Sequence, residues 1–137
     1  MIKIIKETSV SIDDVLPLYQ AVGWTNYTHQ PQMLAQALSH SLATYLARDG
    51  EEIVGLVRLV GDGFSSVFVQ DLIVLPSYQR QGIGSNLMKE ALADYKDAYQ
   101  IQLATEESEK TLGFYRSLGF EALSSFQCTG MILVDRK

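Results

Sequence analysis

Between Asp71 and Met88 the chain reads DLIVLPSYQRQGIGSNLM, and this stretch limits the fold more than any other. The apolar run Leu72-Ile73-Val74-Leu75 has the composition of a central strand and stops at Pro76. A short polar stretch leads to Gln79-Arg80-Gln81-Gly82-Ile83-Gly84, and a helical pattern opens near Ser85. Strand, glycine-rich turn and helix in that order predict an anion site. Main-chain N–H groups at a helix start have no helical partner and carry partial positive charge. Gly82 and Gly84 present no Cβ, so an anion can approach the main chain closely. Arg80 adds a full positive charge beside the turn. The stretch reads as a cradle for a pyrophosphate.

The elements on either side are read from periodicity. Ile2 and Ile4 alternate with Lys3 and Lys6 to give a first strand. Ser11 and Asp14 open a helix in capping-box fashion, with Asp in place of the usual Glu, and Gly23 ends it. Trp24-Thr25-Asn26-Tyr27 is a loop carrying two aromatics. Pro31 starts a second helix with Met33, Leu34, Ala37, Leu38 and Leu42 on its apolar stripe. Thr44–Arg48 and Ile53–Val60 form a hairpin across an Asp-Gly turn. Strand Ser66–Leu75, helix Ser85–Tyr95 and strand Tyr99–Ala104 follow. An acid-rich helix start at Glu106 leads to a stop at Gly119. Phe120–Ser125 and Gln127–Val134 complete the pattern as two further strands.

The order β-αα-βββ-α-β-α-ββ predicts one mixed, twisted α/β sheet with helices on both faces. A length of 137 residues predicts a single domain spanning 1–137. The formal net charge of −5 argues against nucleic acid as the main partner. The lone cysteine, Cys128, excludes an internal disulfide and reads as cytoplasmic. No apolar run approaches the ~20 residues that span a bilayer, so no membrane partner is expected. The lysine-interleaved start MIKIIKETS is not a signal peptide.

The central stretch resembles the acyl-CoA-binding motif of the GNAT N-acetyltransferase superfamily, in which Gln or Arg, two residues, Gly, one residue, then Gly or Ala follow one another. Here the motif is Gln79-Arg80-Gln81-Gly82-Ile83-Gly84. Asp71-Leu72-Ile73-Val74-Leu75-Pro76 looks like the family's central strand, and Phe114-Tyr115-Arg116-Ser117-Leu118-Gly119-Phe120 like its FYxxLGF segment. The element order matches over essentially the whole chain.

The resemblance implies acetyl-CoA as donor and a small-molecule amine as acceptor. It implies a pyrophosphate on the amides of Arg80–Ser85, with Gln79, Gln81, Gly82, Ile83 and Gly84 contributing. It implies that the pantetheine arm pairs with the main chain of Leu72, Ile73 and Val74 by strand addition. Tyr115 matches the position that commonly touches the cofactor and protonates the departing thiolate. Some relatives carry a carboxylate base on the central strand; by spacing, that place is Gln70, which cannot take a proton. Asp71 is expected on the opposite face and in a structural hydrogen bond. The base is therefore a water, a side chain of the Trp24–Tyr27 loop, or absent if the free amine binds. Trp24, Asn26 and Tyr27 are the candidate acceptor wall. Homodimers are common in the family, although no stretch of this sequence fixes one.

Two other readings compete. A sensor that binds acyl-CoA without turnover is kept alive by Gln70. A nucleotide-binding domain is disfavoured because Leu87 stands where a third glycine is needed, and no Lys-Ser/Thr follows. His29 and His40 lack a second ligand at metal spacing and are expected on helix surfaces. Cys128 is expected as a small buried hydrophobe.

Overall fold

The computed structural model describes residues 1–136, which fall into two compact units, Met1–Leu103 and the residues from Ala104 onward. The first unit holds strands β1 (Ile2–Lys6), β2 (Ala43–Asp49), β3 (Glu52–Gly61), β4 (Ser66–Val74) and β5 (Gln100–Leu103). They form one mixed sheet in the order β1-β2-β3-β4-β5, antiparallel except for the parallel β4–β5 pair. Helices α1 (Ile12–Ala21), α2 (Thr25–Thr28), α3 (Pro31–Ser39) and α4 (Ile83–Asp94) complete it.

The helices cover both faces because the strands are apolar on both. Leu46, Leu56 and Ile73 face α1 to α3 and pack with Val15, Leu18, Tyr19, Leu34 and Leu38. On the other face α4 buries Ile83, Leu87, Met88 and Ala91. Its approach is close at Gly55, where a Cβ would lie 3.1 Å from a Leu87 methyl and 3.1 Å from the Ile73 carbonyl. A larger residue there would push α4 away from the sheet. The predicted hairpin is present, with Asp49 opposite Glu52. Ser11 caps α1 by accepting from the Asp13 N–H at 3.3 Å.

Asp62 organises the turn between β3 and β4. It accepts from the N–H groups of Phe64 (2.7 Å), Ser65 (2.8 Å) and Ser66 (3.1 Å), and from the Ser65 hydroxyl (2.6 Å). These bonds, the Ser65 hydroxyl foremost, hold its carboxyl well below the usual carboxylate range. Stability from this turn is therefore present above about pH 4, where the unfolded carboxyl ionises, and is lost as pH falls through the folded value. Asp62→Ala should melt below wild type at neutral pH, and the gap should narrow on acidification. An equal gap across the acid range in thermal scans would contradict this.

The second unit contains α5 (Glu109–Ser117) and a 3-10 turn at Leu123–Phe126. Helix α5 starts later than the acidic cluster suggests, because Ser108 is the N-cap and accepts from the Thr111 N–H at 3.1 Å. The two strands expected at Phe120–Ser125 and Gln127–Val134 are not formed. Ser124 and Ser125 sit in the 3-10 turn, and Gln127 has φ +60, which breaks an extended run. After Cys128 no described residue takes a main-chain partner, and a strand without a partner is only an extended chain. Cys128 is exposed, not buried, because it lies in this segment. The loop expected at Trp24–Tyr27 is instead closed into the short helix α2.

Candidate functional site

The pairing of β4 changes along its length. Its β5 side is paired from Ser66 to Val69, opposite Gln100 to Leu103. Its β3 side stays paired as far as Val74, opposite Gly55. From Gln70 to Val74, therefore, the main-chain groups on the β5 side meet no strand. The side chain of Ile73 is buried while those of Leu72 and Val74 are half-buried.

The strand runs through a 3-10 turn, Pro76–Tyr78, into the predicted cradle. Arg80 has φ +66 and Gly82 has φ +81, ψ 7, both left-handed. Alternating such residues turns successive N–H groups toward one point. Among the described residues no protein acceptor meets the main-chain N–H of Arg80, Gln81, Gly82, Ile83, Gly84 or Ser85. Ile83 anchors the turn by burying its side chain, and Gln79 ties it back to the strand by donating to the Val74 carbonyl at 3.1 Å. Arg80 and Gln81 are exposed, and Arg80 makes no ion pair among the described residues. At Gly82 a Cβ would meet nothing within 4 Å, so the space before the turn is open.

A second group of residues lies on the α1 side of β4. Arg58 and Asp71, 4% and 3% exposed, form an ion pair at 2.7 Å. The hydroxyls of Tyr19 and Tyr27 each donate to Asp71 at 2.8 Å. Arg58 also donates to the Tyr27 oxygen and to the Ser41 hydroxyl, each at 3.1 Å. Burial would lower the Arg58 guanidinium, but the Asp71 carboxylate more than offsets this and raises it. Burial first, then Asp71, pushes the Tyr19 and Tyr27 phenols up, so both remain donors at neutral pH.

Gln70 joins this group, contrary to the expectation that it and Asp71 point to opposite faces. Arg58 opposes Asp71 while Leu59 opposes Val69, so Gln70 is the extra residue of a β-bulge. The bulge brings its amide to 3.5 Å from the Tyr27 hydroxyl, on the side where Asp71 lies. Strict alternation fails wherever one strand carries an extra residue.

The aromatic candidates are more occupied than their loop position suggested. Trp24 packs edge-on against Tyr19 with ring centres 6.1 Å apart, and lies 6.3 Å from Tyr27. Tyr27 is buried, whereas Asn26 is exposed and its carbonyl accepts from the Gln30 amide at 3.1 Å. Tyr115 belongs to α5 in the second unit. It stacks edge-to-face with Phe114 at 5.0 Å and Phe120 at 6.0 Å. Its hydroxyl has no partner among the described residues yet is not a buried orphan, so it is open to solvent or ligand. Burial of the ring raises its pKa, which keeps the phenol a proton donor. His29 and His40 are exposed, and no cluster among the described residues has the make-up of a metal site. No helix among them is long and apolar enough to cross a membrane.

Reasoning from sequence expects Asp71 in a structural hydrogen bond, as found, but misses its partners Arg58 and Tyr19. The signal was a lone charge in each of two apolar strands, Arg58 within Ile53–Val60 and Asp71 before Leu72. Opposite charges in two apolar strands that pair are placed to neutralise each other.

A mixed sheet that parts beside a turn of unpaired amides at a helix start is the architecture of an acyltransferase. The chain belongs to one family of these: the profile of the acetyltransferase (GNAT) domain matches residues 13–134. A GNAT-family acetyltransferase from Streptococcus pneumoniae TIGR4 is 70% identical and superposes with a TM-score of 0.93 over 100% of both chains. A GNAT-family acetyltransferase from Elizabethkingia anophelis, solved with acetyl-CoA bound, is 25% identical, with a TM-score of 0.65 over 88% of this chain and 76% of that one. The chloroplastic serotonin N-acetyltransferase 2 of Oryza sativa subsp. japonica is 29% identical over 117 residues, 82% of this chain and 58% of the relative. The chain thus spans a little over half the length of that curated relative.

Proposed function

We propose that the chain is an acetyl-CoA-dependent N-acetyltransferase that moves an acetyl group to a primary amine by direct attack in a ternary complex. One observation carries the reading: beyond Val69 the β5 side of β4 meets no strand, and the main-chain N–H groups of the turn at Arg80–Ser85 meet no protein acceptor among the described residues. The turn amides and the Arg80 guanidinium suit a diphosphate. The strand edge suits an amide-bearing arm, which would take the place of a missing strand. The bound acetyl-CoA seen in the Elizabethkingia anophelis relative supports this donor.

In this reading the amine nitrogen bonds to the thioester carbonyl carbon and the carbon–sulfur bond breaks. A main-chain N–H at Ile73 or Val74 steadies the charge on the carbonyl oxygen. Tyr115 gives its proton to the departing sulfur, a role suited to a neutral phenol. Trp24, Asn26 and Tyr27 line the acceptor side. Asp71 is committed to Arg58 and two tyrosines, and Gln70 is an amide, so neither takes the amine proton. The amine binds as the free base or loses its proton to water. That same shortage of a base favours the second reading, a sensor that holds acyl-CoA without turnover.

Thermal unfolding and thiol release separate the readings. Coenzyme A should raise the melting temperature, by the equivalent of about 2.7 kcal/mol at a hundred times its Kd, and ATP or NAD should not. Thiol release should appear with at least one member of an amine panel. Tyr115→Phe should lower kcat by roughly a hundredfold or more with little change in affinity. Loss of affinity alone would make Tyr115 a packing residue. Tight binding with no release on any amine would favour the sensor.

A further inference from the structure

The turn that leads into the cradle is held from a distant part of the chain. Leu75 leaves the sheet with its N–H on the Val54 carbonyl at 2.9 Å, and the 3-10 turn closes as the Tyr78 N–H donates to the Leu75 carbonyl at 2.8 Å. Tyr78 then reaches back to the tip of the β2–β3 hairpin. Its hydroxyl donates to the Asp49 carboxylate at 2.8 Å and lies 3.3 Å from that of Glu52. Asp49 and Glu52 face each other across the hairpin turn. Among the described residues, no other hydrogen bond ties residues 76–82 to an element beyond β4 and α4.

The direction of this bond is fixed. Both acceptors are carboxylates, so the phenol must donate. The bond to Asp49, foremost, pushes the Tyr78 phenol up to about 12. The same bond is the chief cause that holds the Asp49 carboxyl below its usual range. Donor and acceptor therefore keep these states at neutral pH. A bond to an ionised acceptor is stronger than one between neutral groups.

Two residues on, Arg80 holds φ +66. A left-handed conformation at a residue with a Cβ persists only where the surroundings impose it. Ile83 fixes the far end of the turn by burying its side chain. The near end has the local bond from Gln79 to Val74 and the longer reach of Tyr78 to the hairpin. Without that reach Arg80 is free to relax to a negative φ, and the amides that follow no longer share one direction.

We propose that Tyr78, held by Asp49 and Glu52, is a positioning residue that preorganises the main-chain cradle at Arg80–Ser85 for the diphosphate of the acyl donor. This rests on coenzyme A being that donor's carrier. The hairpin tip acts through Tyr78: a turn already in its bound shape loses less freedom on binding.

Coenzyme A titration by calorimetry, with a thermal scan of each variant, tests this. Tyr78→Phe keeps the ring and removes the donor. It should bind coenzyme A roughly three- to tenfold more weakly and melt near wild type. Asp49→Ala/Glu52→Ala removes both acceptors and should show the same loss, with no further loss when Tyr78→Phe is added. Asp49→Asn keeps an oxygen that accepts, and should bind as wild type does. Unchanged affinity in Tyr78→Phe would overturn the proposal even if the melting temperature fell, since the bond would then serve stability alone. A loss in Asp49→Asn equal to that of the double alanine variant would overturn it too, because charge and not the bond would be at work. Wild type that binds no coenzyme A overturns the donor and the proposal together. Wild type that binds it, matched by Tyr78→Phe, overturns the proposal alone.

Discussion

Gly82→Glu should abolish coenzyme A binding in calorimetry while the protein still folds. Gly82 sits at φ +81, a conformation that costs an L-residue about 1–2 kcal/mol. That strain is tolerable in a domain of ordinary stability. A Cβ there meets nothing within 4 Å, so the first atom of the new side chain displaces no protein atom. Its carboxylate, however, stands at the N-terminus of α4 beside amides that lack protein partners. It would take those donors for itself and repel a diphosphate. Losing two charge-assisted hydrogen bonds, at about 1.5–3 kcal/mol each, lowers affinity by roughly two to four powers of ten. Gly82→Ala is the control, since it carries the backbone strain without the charge and should retain most of the affinity. Unchanged affinity in Gly82→Glu would remove the cradle from the mechanism.

Arg58→Met should destabilise the fold by about 3–5 kcal/mol, the cost of leaving a buried charge without its partner. Asp71 would keep the Tyr19 and Tyr27 hydroxyls but lose the cation 2.7 Å away, at a site only 3% exposed. Arg58 also bonds Tyr27 and Ser41, so α2 and the end of α3 loosen with it. The double variant Arg58→Met/Asp71→Leu should recover much of the loss, because it removes both charges from the interior. Urea denaturation of the two variants reads this directly. A single variant within about 0.5 kcal/mol of wild type, the range of an ordinary surface change, would mean that the pair is solvated. The cluster ties α1 and α2 to β4 at the bulge, beside the point where β4 parts from β5. Its stability therefore bears on the shape of the proposed site.

Much of the fold was legible because it rests on local pattern. The run Leu72–Leu75 and the glycines after it mark a strand and turn, since burial on both faces demands a continuous apolar strand. The unpaired amides of the turn were legible for the same reason: helix starts leave amides without partners whatever the surrounding fold. Trp24–Tyr27 was misread as a loop, because four residues are too few for a helical period to show. The strand predicted at Gln127–Val134 had the right composition and no partner among the described residues. Composition reports what a strand can cover, not where its partner lies.

The sequence alone determined the nature of the elements around the central strand and the glycine turn. These follow from side-chain size, polarity and backbone freedom at neighbouring positions. Only the tertiary structure decided that Gln70 is a bulge residue turned toward Tyr27, and that Arg58 meets Asp71. It alone also showed β4 losing its β5 partner after Val69. Each of these depends on register between strands distant in sequence, and register is set by how whole faces pack, which no local pattern encodes.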